Sequence, residues 1–139
     1  MYKKILFPVD LSQDSSVAAL ASVSEIARRF DGDLTLLNVQ VPVPSMVTAY
    51  LPDEFTQEAT KDVAIKLKAA ADEFHLGATT DVAVRHGTAH HEILRFAEEG
   101  GFDLIVIASH QPVLSDYLLG STATQVVRHA KCSVIIVRG

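Results

Sequence analysis

The chain has 139 residues, of which 48% are hydrophobic and 21% are charged, and its formal net charge at pH 7 is −5. This length and composition predict one globular domain and exclude a disordered chain. The acidic balance and the lack of a basic run disfavour a nucleic-acid partner. Wholly apolar runs such as residues 104–108 are far shorter than the ~20 residues of a membrane-spanning helix. One cysteine excludes an internal disulfide and favours a reducing cytoplasm.

Short apolar runs alternate with segments of helical periodicity along the chain. The sequence predicts five strands, at residues 5–9, 34–39, 80–85, 103–108 and 133–137. Four amphipathic helices are predicted between the strands, and three of them begin at the capping residues Ser12, Thr88 and Ser121. Residues 41–52 and 109–120 are predicted to be long connections, the first because its closely spaced prolines suit neither a helix nor a central strand.

The regular alternation of strands and helices predicts the fold class. Right-handed crossovers between successive strands produce a parallel sheet with helices on both faces, so we expect an α/β fold of the Rossmann-like type. Residues 103–108 are apolar on both faces of the strand and therefore indicate a central position. Residues 80–85 alternate in polarity and indicate an edge strand.

Ligands of open parallel sheets bind beyond the carboxyl ends of the strands, where the winding reverses. The segments to consider are therefore 8–10, 39–40, 86–87 and 108–121. The last of these ends in Gly120, Ser121 and Thr122, which open a predicted helix. Exposed N–H groups in a first helical turn, beside two small hydroxyls, suit a phosphate. Simple capping of the helix by Ser121 is the alternative.

Four segments of the sequence together resemble the universal stress protein family: residues 3–10, 107–110, 117–121 and 126–134. The resemblance extends over the whole chain, and the Ser-His-x-Pro loop that begins at Ser109 is similar to that of the UspF and UspG class. It implies a five-stranded parallel sheet in the order 3-2-1-4-5, a cytoplasmic role in the stress response, and ATP as the bound nucleotide, with Mg²⁺ accompanying its phosphates.

The resemblance also implies a set of ligand-binding residues. Many family members bind ATP through the pattern G-x2-G-x9-G-[ST], to which Ala108, Gln111 and the pair Gly120–Ser121 correspond. Two of these glycines are replaced here, and the second gap has eight residues instead of nine. Asp10 would lie near the ribose, and the backbone of Val39 would meet the adenine edge. The complete implied set is Pro8, Val9, Asp10, Val39, Ala108, Ser109, His110, Gln111, Pro112, Gly120, Ser121 and Thr122.

The last predicted strand carries four consecutive apolar residues, Val134, Ile135, Ile136 and Val137. In the order 3-2-1-4-5 this strand lies at an edge of the sheet, and an exposed apolar edge promotes association unless it is paired or covered. The family resemblance implies that it pairs with its own copy across a two-fold axis. We therefore expect a homodimer.

Several other functions lack the sequence patterns that they require. Neither G-x-x-x-x-G-K-[ST] nor G-x-G-x-x-G occurs, which leaves a P-loop kinase and a dinucleotide dehydrogenase without support. The sequence contains no G-x-S-x-G elbow, so a hydrolase triad of Ser121, His110 and Asp116 is not favoured. A phospho-receiver domain would need an acidic pair after the first strand, where Asp10 is followed by Leu11.

The remaining reactive side chains are better explained without catalysis. His90 and His91 are adjacent and should diverge by about 100° on a helix, which disfavours a shared metal. Cys132 precedes an apolar strand and is expected to pack as a small hydrophobic residue. Residues 108–122 contain no Lys or Arg. The sequence therefore predicts an ATP-binding regulatory protein that is not an efficient enzyme, and the alternatives are a nucleotide-free adaptor and a slow ATP hydrolase.

Overall fold

Strands and helices alternate along the described parts of the chain. The computed structural model describes residues 1–11, 17–41, 53–74, 80–109 and 120–138. The elements in chain order are β1 (Lys4–Pro8), α1 (Leu20–Phe30), β2 (Asp33–Gln40), α2 (Asp53–Glu73), β3 (Asp81–His86), α3 (Ala89–Gly100), β4 (Leu104–Ser109), α4 (Ser121–His129) and β5 (Ser133–Arg138). Each predicted strand is present with its ends shifted by one residue at most. The predicted cap Ser12 and most of the two predicted connections lie outside the described residues.

The five strands form one sheet in the order β3-β2-β1-β4-β5. All four pairings are parallel. The predicted fold class and strand order are confirmed, with β3 at one edge and β4 inside the sheet between β1 and β5. The winding reverses between β1 and β4, so the carboxyl ends of these two strands flank the switch point at which such sheets bind ligands.

Apolar side chains of the central strands alternate between the two faces of the sheet. Ile5 and Phe7 of β1 are fully buried in one cluster with Leu20 of α1 and Leu67 of α2. Leu6 of β1 is buried on the opposite face, in a cluster with residues of β2, β4, α3 and α4: Leu37, Ile93, Ala97, Ile105, Ile107, Ala123 and Val126. Full burial of one such side chain contributes about 1.5–3 kcal/mol to stability. Because helices cover both faces of the sheet, ligands must approach it from an end.

The ends of the helices are defined by backbone conformation. Asp31 terminates α1 in the left-handed region at φ 52°, a conformation that aspartate tolerates better than most residues. Gly101 terminates α3 at φ 67°. Thr88 occupies the predicted N-cap position of α3, but its side chain forms no capping hydrogen bond. Within the described residues, no helix is both long enough and apolar enough to cross a bilayer.

Candidate functional site

A cavity of about 470 Å³ opens at the carboxyl edge of the sheet, at the switch point between β1 and β4. This volume lies within the range of small-molecule sites. The ends of β1, β2 and β4 and the first turns of α3 and α4 form its walls. The lining residues are Pro8, Val9, Asp10, Leu11, Leu37, Asn38, Val39, Gln40, Val41, Ala89, Ile93, Ile107, Ala108, Ser109, Gly120, Ser121, Thr122 and Ala123.

The predicted site residues that the structure describes all line this one cavity. They come from three separate parts of the chain: Pro8, Val9 and Asp10 after β1, Val39 in β2, and Ala108, Ser109, Gly120, Ser121 and Thr122 around the β4–α4 connection. His110, Gln111 and Pro112 lie outside the described residues. The parallel register explains the convergence, because it brings the carboxyl ends of neighbouring strands to the same edge.

Asn38 is a residue of this site that sequence reasoning missed. The residue is only 5% exposed, and its Nδ2 donates a hydrogen bond to the Val9 carbonyl over 2.7 Å. The Val9 N–H in turn donates to the Leu37 carbonyl at 2.7 Å, and the Gln40 amide donates to Asn38 Oδ1. These bonds fix the segment after β1 against β2. The available signal was an amide in the interior of a largely apolar strand, where a buried polar group needs a hydrogen-bond partner.

The start of α4 differs from the prediction in one respect. Gly120 is the N-cap, with extended backbone at φ −60° and ψ 160°, and Ser121 is already the first helical residue. The prediction that Ser121 caps the helix is therefore wrong, because a cap residue must have non-helical backbone. Gly120 has no side chain that could accept a hydrogen bond from the first turn of α4, and the first-turn residues Ser121, Thr122 and Ala123 line the cavity.

The cavity combines an apolar wall with polar groups at its rim. The apolar part comes from β2, β4 and α3, through Val39, Ile107 and Ile93. Asp10, which is exposed, supplies a carboxylate, and the start of α4 supplies N–H donors and the hydroxyls of Ser121 and Thr122. A flat apolar group attached to a hydroxylated and anionic group would match this arrangement.

The described histidines and the cysteine lie outside the cavity: His86, His90, His91, His129 and Cys132. Among the described residues, no three His, Cys, Asp or Glu side chains are grouped so that they could hold a metal ion. The ring centroids of the adjacent residues His90 and His91 lie 4.6 Å apart, so the expected divergence of the two positions around α3 does not separate the rings. Burial raises the pKa of the half-buried Cys132 thiol, which disfavours the nucleophilic thiolate.

The sequence profile described as the Universal stress protein family matches residues 1–138. The chain belongs to the universal stress protein family. It is 31% identical over 142 residues to Universal stress protein G of Shigella flexneri, a match that covers 99% of this chain and 100% of that protein. Among solved structures, the universal stress protein UspA from Lactobacillus plantarum is similar with a TM-score of 0.78 and 26% identity, over 99% of this chain and 98% of that one.

Two more distant solved structures with this fold are nucleotide complexes. One is a universal stress protein in complex with cAMP, with a TM-score of 0.71, 23% identity, and coverage of 98% of this chain and 96% of that one. The other is a universal stress protein from Archaeoglobus fulgidus in complex with dAMP, with a TM-score of 0.68, 22% identity and coverage of 97% of both chains. Their likeness to this chain concerns the fold.

Proposed function

We propose that this protein is a cytoplasmic, stress-related regulatory protein that acts as a single nucleotide-binding domain and holds ATP in the cavity at the switch point. The observation that carries the proposal is the convergence, in one cavity, of the start of α4 with its glycine N-cap, the Asp10 carboxylate and an apolar wall. The cAMP and dAMP complexes of two proteins with the same fold support an adenine nucleotide. The single cysteine supports a reducing compartment.

The lining residues fit the parts of such a ligand. The apolar wall and the Val39 backbone suit the adenine, Asp10 suits the ribose hydroxyls, and the α4 start from Gly120 to Thr122 suits the phosphates. Among the described lining residues, Asp10 is the only carboxylate. Mg²⁺ prefers oxygen ligands and commonly binds through substrate phosphates with few protein groups, so it would accompany the ATP phosphates at the start of α4, where Ser121 and Thr122 carry hydroxyl groups.

Thermal stabilisation by ATP and Mg²⁺ tests this proposal. A ligand that binds only the folded state adds RT ln(1 + [L]/Kd), about 2.7 kcal/mol at a hundredfold excess over Kd, which corresponds to a rise in Tm of roughly 10 °C for a chain of this size. Mg²⁺ alone and Mg²⁺ with tripolyphosphate are the controls. The absence of a shift, together with no adenine nucleotide released from freshly purified protein by denaturation, would favour the nucleotide-free adaptor.

We expect binding without rapid turnover. Phosphoryl transfer requires positive charge at the developing oxygens and a positioned nucleophile, and residues 108–122 contain no Lys or Arg. Hydrolysis should therefore be far slower than the ~1–100 s⁻¹ of ordinary kinases. Phosphate release under multiple-turnover conditions measures it. Several turnovers per second that disappear in His110→Ala would contradict the expectation and favour an ATP hydrolase.

A homodimer through β5 is the proposed assembly. β5 pairs with β4 along one side and is an edge of the five-stranded sheet, and its apolar residues from Val134 to Val137 are all only partly buried. Light scattering at tens of micromolar should give twice the mass of the chain, and Ile136→Pro should reduce that mass because proline removes a ladder donor. Circular dichroism checks that the variant folds. A sharp monomeric mass for the unaltered protein would refute the dimer.

A further inference from the structure

The cavity lacks permanent positive charge from side chains. The chain has twelve Lys and Arg residues, all of them within the segments that the structure describes, and none of them lines the cavity formed by those segments. Residues 12–16, 42–52, 75–79, 110–119 and 139, which the structure does not describe, contain no Lys or Arg in their sequence. No lysine or arginine from those segments can therefore contact a bound phosphate chain.

Two arginines belong to strands whose carboxyl ends point to this edge of the sheet, Arg85 in β3 and Arg138 in β5, and neither lines the cavity. Arg85 is in register with Val39, but its guanidinium lies over the Phe96 ring, 5.1 Å from the centroid. Arg138 is in register with Ser109; it is exposed and does not contribute to the lining.

The positive charge that remains comes from helix ends. The first turns of α3 and α4 both reach the cavity, and each helix N-terminus carries about half a positive charge. Glu92 in the first turn of α3 offsets part of this, whereas α4 has no acidic residue in its first turn. Asp10 adds a carboxylate at the rim. A phosphate monoester carries about −1.5 to −2 charges at pH 7, and a metal-free triphosphate carries more.

Building on the proposed adenine-nucleotide function, we propose that the cavity selects nucleotides by the charge of the phosphate chain. It binds nucleotides with one phosphate, and ATP whose charge is reduced by a divalent cation, and it discriminates against metal-free ATP. The selecting feature is the combination of two helix N-termini and one carboxylate without a lysine or arginine. We call this combination the charge filter. It predicts that the affinity of ATP, relative to the affinities of adenosine, AMP and cAMP, differs with and without Mg²⁺.

Isothermal titration of the unaltered protein with these ligands tests the charge filter. The titrations are made at about pH 8, where histidine is mostly neutral, with ATP either in EDTA or in excess Mg²⁺. Metal-free ATP should bind at least about tenfold more weakly than AMP, because unit charges a few ångströms apart at a protein surface change a binding constant by that order. Raising the salt concentration should reduce the ratio of the dissociation constants of metal-free ATP and AMP, since salt screens exposed charges.

A matched pair of lysine variants tests whether positive charge in the cavity, rather than the shape of the metal–ATP complex, determines the affinity for ATP. Thr122→Lys places a cation in the lining of the cavity, and Thr124→Lys places the same charge two residues later on α4, at an exposed position outside the lining. Metal-free ATP should gain about tenfold in affinity in Thr122→Lys and should change little in Thr124→Lys. Circular dichroism checks that both variants fold.

The outcomes distinguish the inference from the function on which it rests. Binding of metal-free ATP as tightly as AMP by the unaltered protein would overturn the charge filter and leave the proposed function standing. An equal gain in both lysine variants would also overturn it, because the effect would then be one of net charge. Failure of every ligand to bind, adenosine included, would overturn the proposed function and the charge filter together.

Discussion

Gly120→Val should lower nucleotide affinity at least a hundredfold while the protein still folds. The backbone at Gly120 has φ −60° and ψ 160°, an extended conformation that a β-branched residue adopts without strain. Gly120 lines the cavity directly before the first N–H groups of α4, so a branched side chain there occupies the space through which a phosphate approaches them. A hundredfold loss corresponds to about 2.7 kcal/mol, which isothermal titration resolves easily.

Thr124→Val is the matched control for this substitution. It introduces the same side chain on the same helix at an exposed position that does not line the cavity, so affinity should be unchanged. Ser121→Ala should weaken nucleotide binding modestly, because a hydrogen bond from a hydroxyl to a charged phosphate contributes about 1.5–3 kcal/mol. Because Ser121 is not the cap, this loss should appear in binding and not in stability. Unaltered affinity in folded Gly120→Val would remove the assignment of phosphate to the start of α4.

Asn38→Leu should destabilise the fold by about 1–3 kcal/mol, the usual consequence of leaving a buried polar group without its partner. Leucine has a similar volume but cannot donate to the Val9 carbonyl, which Asn38 Nδ2 reaches at 2.7 Å. The segment that carries Val9 and Asp10 would then be held to β2 by the backbone bond between Val9 and Leu37. Urea denaturation measures the loss of stability, and titration should also show weaker nucleotide binding.

Gln40→Leu separates the two hydrogen bonds of the Asn38 side chain. It removes the donor to Asn38 Oδ1 and keeps the bond from Asn38 to Val9. Since Gln40 is only partly buried, water can replace the lost donor, and the stability change should be smaller than for Asn38→Leu. Equal stability of Asn38→Leu and the unaltered protein would mean that the buried amide does not position the rim of the cavity.

Much of the fold follows from local patterns in the sequence. A strand with helices on both of its faces is mostly apolar, as β4 is from Leu104 to Ala108. A helix that packs on one face of the sheet is apolar at every third or fourth position, as in α1. These patterns predicted the alternating elements, and the strand order came with the family resemblance. They also directed attention to Asp10, Val39 and Gly120, because parallel strands end at a common edge.

The details of the cavity depended on contacts between residues distant in sequence. Asn38 lies 29 positions from the Val9 carbonyl to which it donates, and no local pattern specifies that partner. Gly120 rather than Ser121 is the N-cap because helical backbone geometry begins only after Gly120, which residue preference alone does not determine. Likewise, the sequence supplies the number of lysines and arginines, but only the packing of the strands decides that none of them, in the part of the chain that the structure describes, lines the cavity.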